Sequence, residues 1–257
     1  NLNQLQWASS VYRNVNLTVE GDKSALYALS LKSQDPNLPL NLSTSFSLKG
    51  EKPQDIQAQI YAHNLRLNPF IKGLDHVSVE GDLKLSSLDE TQLMGELNLS
   101  NLRLMVEDKP LNLSNTRLLS ERIGDNHRIS LHTPWLNMAL NGQYNLKTLK
   151  RDILATLTSE IPVLQPIFGK HSSTLKGANR FSLTAEVDSI PSQISQLIGL
   201  PIKIKNTALL SATIDSYNKH IDYAFNCNEL MLASHRIEDF AMNFNSHQLS
   251  ISGDAYL

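Results

Sequence analysis

Apolar and polar residues alternate with a period of two along most of this chain, the spacing of strands that bury one face and wet the other. Leu40, Leu42, Phe46 and Leu48 share one phase, with Asn41, Ser43, Ser45 and Ser47 between them. Val77, Val79, Leu83 and Leu85 repeat the pattern around Gly81, and Leu93, Leu97 and Leu99 repeat it around Gly95. Leu140 precedes Gly142 in the same way, and Phe181, Leu183, Ala185 and Val187 alternate with Ser182, Thr184 and Glu186. The pattern predicts about fifteen to eighteen antiparallel strands joined by short turns.

Helix is expected at one place. Ser189 can cap a start, Pro191 suits a first turn, and Gly199 with Pro201 ends the segment. Ile190, Ile194, Leu197 and Ile198 then fall on one face, so 189–199 is predicted to be the one helix longer than two turns. Arg151–Leu157 is read as a further strand, and Pro162–Gly169 as a single turn because its two prolines forbid a longer helix.

Glycine adds a loose repeat. Gly21, Gly50, Gly81, Gly95, Gly142, Gly177 and Gly253 each follow an aliphatic residue by two positions. Glycine inside a strand marks a bend, a bulge or a close approach of backbones. The repeat therefore predicts a strongly curved sheet, and its irregular spacing excludes a tight parallel β-helix.

Composition narrows the function classes. Among 257 residues, 43 are Leu against 25 Val and Ile together, and 75 are Ser, Asn, Thr or Gln. Aromatics are 6% and charged residues 19%, with a formal net charge of −2, so no basic surface for nucleic acid is expected. Cys227 is the one cysteine, which excludes a disulfide framework and a cysteine metal site. The chain opens without a basic and apolar leader, and no apolar run reaches the ~18 residues of a membrane span. Both ends read as cut within a longer protein, so 1–257 is taken as a single segment of a larger repetitive β-domain.

Candidate chemistry is sparse. No nucleophile elbow, phosphate loop, dinucleotide fingerprint or His-Glu-x-x-His occurs, so no catalytic residue, metal ligand or cofactor is assigned. His127 and His132 lie five apart in an expected strand and so on opposite faces. His235 near Glu238 and Asp239 reads as a hydrophilic turn. Asp22, Asp82, Glu96 and Asp254 sit singly after glycine, as a solvated face rather than a calcium loop. Cys227 reads as an inert thiol and Trp135 as a core anchor. Carbohydrate chemistry would need paired carboxylates and aromatic platforms, which the chain lacks.

The units Val79-Glu-Gly81-Asp-Leu83-Lys-Leu85 and Leu140-Asn-Gly142-Gln-Tyr144-Asn-Leu146 resemble the AsmA-like superfamily, and within it the TamB-type translocation and assembly proteins, particularly large Bacteroidetes versions. Arg151–Leu157, Pro162–Phe168 and Leu175–Gly177 resemble that family's strand, turn and next-strand unit. So does Ile190–Pro201 followed by the strand from Lys203 to Asp215. The resemblance implies a long curved antiparallel sheet folded into a U-shaped trough, or β-taco, with an apolar interior. It implies a non-enzymatic periplasmic segment whose inner-membrane anchor lies outside these residues. It implies phospholipid as cargo and an outer-membrane barrel protein as partner, met through other regions. On this reading Val77, Val79, Leu83, Leu85, Leu93, Leu97, Leu99, Leu140, Phe181 and Leu183 line a groove that carries acyl chains between the two membranes. The competing expectation is a scaffold for outer-membrane protein assembly, whose edge strand pairs with a client or barrel strand.

Overall fold

The computed structural model describes residues 2–7, 10–22, 25–66, 74–87, 93–106, 108–160, 179–197, 202–232, 235–245 and 248–256. Within them the chain is all-β, as its alternation predicts, and its strands form one open antiparallel sheet in chain order. Contacts gather it into two compact units, each described by itself: Asn1–Asp89, Leu93–Leu119 and His132–Pro134, then Glu90–Gln92, Ser120–Leu131 and Trp135–Leu257.

The first unit runs through β1 (Leu2–Trp7), β2 (Ser10–Gly21), β3 (Leu26–Ser33), β4 (Leu40–Lys49), β5 (Lys52–Arg66), β6 (Leu74–Ser87) and β7 (Met94–Val106). The short β8 (Lys109–Asn112) pairs with β7 off the main path, and β9 (Thr116–Ile123) follows β7 in strand order, with Ser120–Ile123 belonging to the second unit. The second unit continues with β10 (Asn126–His132), β11 (Leu136–Gln143), β12 (Arg180–Val187), β13 (Ile202–Asp215), β14 (His220–Leu232), β15 (His235–Asn245) and β16 (Gln248–Tyr256).

The helices correct the sequence expectation. The long helix is α1 (Leu146–Glu160), and the stretch Arg151–Leu157, read as a strand, lies inside it. Asn145 caps its start, with Oδ1 accepting the Lys147 amide at 2.9 Å. Leu146, Leu149 and Ile153 recur at helical spacing and pack on the sheet. Thr156 and Thr158, buried in the helix, donate their hydroxyls back to the carbonyls of Asp152 and Leu154 at 2.8 Å. The expected helix is the shorter α2 (Ser192–Leu197). It begins after Pro191, whose carbonyl accepts from Ile194 and Ser195, rather than at Ser189. Ile198, Gly199, Pro201, the turn Pro162–Gly169, and Leu175 with Gly177 lie outside the described residues.

Curvature devices in the strands are asparagine and aspartate as well as glycine. β5 carries one extra residue against β6, with His63 and Asn64 opposite Ser78 alone, and Asn64 has φ 56°. β13 does the same at Asn206 (φ 64°), and β15 at Asp239 (φ 49°). Short polar side chains tolerate this left-handed backbone better than other residues, and each such bulge bends its strand. β7 bulges at Ser100, where Glu80 pairs with Asn101 but Gly81 pairs with Leu99. In β7 and β5 the apolar phase shifts with the bulge: Leu97 and Leu99 are followed by Leu102 and Leu104, and Ile60 and Ala62 by Leu65. The apolar residues thereby stay on one face past the break.

Three buried clusters anchor the units. Tyr12, Val15 and Leu38 pack with Leu31, Leu40 and Leu65 in the first. Tyr144, Phe181, Ile214, Ile221 and Phe244 gather beneath α1 in the second. Ile204, Ala208, Cys227 and Leu230 form another there, with Val187 and Ile190.

Candidate functional site

Register decides what shares a face, because directly paired residues of antiparallel strands project their side chains to the same side. In the first unit, Ile56, Ala58, Ile60 and Ala62 of β5 face Leu85, Leu83, Gly81 and Val79 of β6. Those in turn face Gly95, Leu97, Leu99 and Leu102 of β7. On the other side, Leu42 pairs with both Ile60 and Leu31, and Leu31 with Leu17. One apolar face therefore runs unbroken from β2 to β7.

Of the residues expected to line a groove, Val77, Val79, Leu83, Leu85, Leu97 and Leu99 lie on this face, and Leu93 just precedes β7. Val77 is buried, at 8% exposure, beside Leu65 and Leu104. Leu83, Leu85, Leu97 and Leu99 are half-buried, and on β2 the same face leaves Leu17 and Val19 exposed, Val19 at 62%. A packed second layer would bury such residues almost completely. Gly81 serves packing here: a Cβ would come 2.5 Å from the Asn98 carbonyl oxygen and 2.6 Å from Leu99 Cδ2. Leu99 thus lies over the glycine and closes the face laterally.

Leu140, Phe181 and Leu183 belong to the second unit, so the ten expected residues divide between two faces. Leu140 pairs with Leu183 and Gly142 with Phe181. The row continues through Leu183, Ala212, Tyr223 and Phe244, and through Phe181, Ile214 and Ile221. Phe181 is buried at 3% exposure under the α1 cluster, whereas Leu183, Ala212 and Tyr223 are half-buried. A buried polar group pins α1. Asn179, 1% exposed, donates Nδ2 to Asp152 Oδ2 at 2.6 Å and to Thr148 Oγ1 at 3.0 Å. Its Oδ1 accepts the Asn145 amide at 2.7 Å, and its own amide donates to Ser216 Oγ at 2.9 Å.

The opposite faces are wet. A hollow of about 470 Å³ on the first unit's polar face is lined by Thr18, Ser30, Ser43, Gln59 and Asp82 among others. A similar one on the second unit is lined by Ser182, Thr184, Ser211, Thr213 and Asp222. Hydroxyls and amides outnumber charged side chains in both, with Glu20, Asp82 and Lys84 in the first and Asp222 in the second. At the far end of the second unit, Lys205 and Arg236 hold Glu229 at 2.8 and 3.3 Å, and the Lys205 contact keeps its carboxyl below the usual range.

The remaining candidates do not gather into a metal site among the described residues. His127 is buried with Nε2 2.8 Å from Ser120 Oγ, while His132 is exposed, and no group of three metal-ligating side chains occurs among the described residues. His235 and Asp239 are exposed, beside the half-buried Glu238. Cys227 is buried, with its thiol pushed up by burial and donating to the Glu229 carbonyl at 3.3 Å. Trp135 is half-buried. Sequence reasoning missed α1, the asparagine bulges and the polar set Ser120, His127 and Tyr144 on the second unit. The signals were present: Asn145 before Leu146, Leu149 and Ile153, and the phase slips in the apolar alternation.

No family model, curated protein or solved structure matches the chain.

Proposed function

We propose that this segment is a non-catalytic lipid-carrying trough, which holds phospholipid acyl chains on its apolar faces and passes them between the inner and outer membranes across the periplasm. One observation carries this reading: apolar rows continuous in register across neighbouring strands stay half-exposed where a closed sandwich would bury them. The AsmA-like resemblance supports the same reading. Each buried CH₂ is worth about 0.8 kcal/mol, so an acyl chain of sixteen carbons gains roughly 12 kcal/mol before ordering costs. A row of near-equivalent Leu contacts spreads that gain along the face, and a chain sliding along it exchanges one contact for an equal one. The inner-membrane anchor and the barrel partner of this reading belong to regions outside the segment.

Leu97→Asn tests it. In an open trough the amide keeps access to water, so the melting temperature falls by only a few degrees. Capture of dioleoylphosphatidylglycerol, followed by gel filtration and lipid extraction, falls several-fold. Ser43→Asn on the polar face leaves capture unchanged. A collapse of stability by several kcal/mol with capture untouched would mean a closed core.

A further inference from the structure

The apolar face of the second unit is interrupted by a polar group. Ser120 of β9 lies 2.8 Å from His127 Nε2 on β10, and the His127 ring stacks on Tyr144 with centroids 5.2 Å apart and planes 21° apart. Tyr144 in turn meets Phe181 edge-on at 6.0 Å. His127 is 6% exposed and Tyr144 8%, and two of their polar atoms, His127 Nδ1 and Tyr144 Oη, are buried without a protein partner. Leaving such atoms unpaired is costly, and apolar residues of the same shape would pack there without that cost.

We infer that Ser120, His127 and Tyr144 form a subsite for the carbonyl oxygen at the head of an acyl chain, carboxyl or ester, whose hydrocarbon lies on the neighbouring apolar face. The inference rests on the lipid-carrying reading above and places a polar stop on an otherwise uniform track. When Ser120 donates to Nε2, the neutral imidazole carries its proton on Nδ1 and presents a donor. Burial pushes the Tyr144 phenol up to about 12, so it stays protonated and donates as well. Two donors beside an apolar cluster suit one acceptor oxygen with a greasy tail. Ile129, Leu140 and Phe181 supply the apolar side, and Leu146, Leu149 and Ile153 of α1 close over the same cluster.

The test measures binding of radiolabelled oleate, methyl oleate and hexadecane, each delivered from cyclodextrin, to the intact chain and to Tyr144→Phe. Losing one hydrogen bond to an oxygen weakens binding about tenfold. That loss is expected for oleate, for methyl oleate or for both, with hexadecane unchanged and the melting temperature not lowered. Loss for oleate alone assigns the subsite to a free carboxylate, and loss for methyl oleate to an ester. Tyr217→Phe, an exposed phenol in the turn after β13, should change none of the three. Equal affinities for both oxygenated probes in the wild type and Tyr144→Phe would overturn the subsite while leaving the trough. An equal loss for all three probes would overturn it too. No binding of any probe to the wild type would overturn the subsite and the trough together.

Discussion

Single residues here hold conformations and protonation states that the strand pattern does not require, and each has a measurable cost. Ala25 sits at φ 59°, in the turn between β2 and β3, where its amide donates to the Asp22 carbonyl and its carbonyl accepts from Leu48. A side chain in that left-handed region costs about 1 kcal/mol, which glycine avoids. Ala25→Gly should therefore raise stability by no more than about 0.5 kcal/mol in chemical denaturation, since glycine's extra unfolded-state entropy of about 0.4–1 kcal/mol offsets much of the relief. Tyr144 makes a pH prediction. Its folded value of about 12 lies above the ordinary 10.0, with burial as the cause. As pH rises past 10 the unfolded phenol ionises first, so the folded state binds the extra proton and stability falls through that window. Tyr144→Phe should flatten this alkaline limb of a thermal-melt series. Burial also raises the Tyr223 phenol, so part of the limb should remain.

Elements show where the sequence was legible and where it was not. One-sided strands were readable because alternation with period two needs no tertiary information: Val77 to Leu85 and Leu93 to Leu99 fall in β6 and at or just before β7, with apolar partners on both sides of β6. The bulges were less readable, because Asn64, Asn206 and Asp239 resemble any polar strand residue until register places an extra residue beside them. Glycine drew attention as the source of bends, yet Gly81 and Gly142 make room for Leu99 and Phe181 packed across them. Helix α1 was hidden by its neighbours in sequence. A strand-rich context favoured reading Arg151–Leu157 as one more strand, although Asn145 and the Leu146, Leu149, Ile153 spacing obey helical rules. What fastens α1 was beyond sequence altogether, since Asn179 reaches Asp152 across 27 residues. Asn179→Ala removes the partner of a buried carboxylate and of the Asn145 amide at once. It should cost about 3 kcal/mol or more in urea unfolding. Arg151→Ala removes a half-exposed partner of the same Asp152 and should cost less than about 1 kcal/mol.

Across the whole molecule, the chain follows one rule. Each strand of the main path pairs with its neighbours along that path, and hydroxyl- and amide-rich faces lie behind apolar ones. A formal charge of −2, with 23 basic and 25 acidic residues, leaves little long-range field to steer a charged partner. What distinguishes the surface is the half-exposed apolar face within each unit. The fold class was legible from alternation alone, whereas the division of the ten expected groove residues between two units was not. Leu140 pairs with Leu183 across 43 positions of sequence, and periodicity is silent about such partners. The central claim is that these faces carry lipid, and photo-crosslinking tests it most directly. A photoreactive residue in place of Leu97, and separately Leu183, is activated in cells, and the adducts are identified by mass spectrometry. The trough predicts phospholipid adducts at both positions; adducts to protein alone, with a lipid-free purified chain, would contradict it.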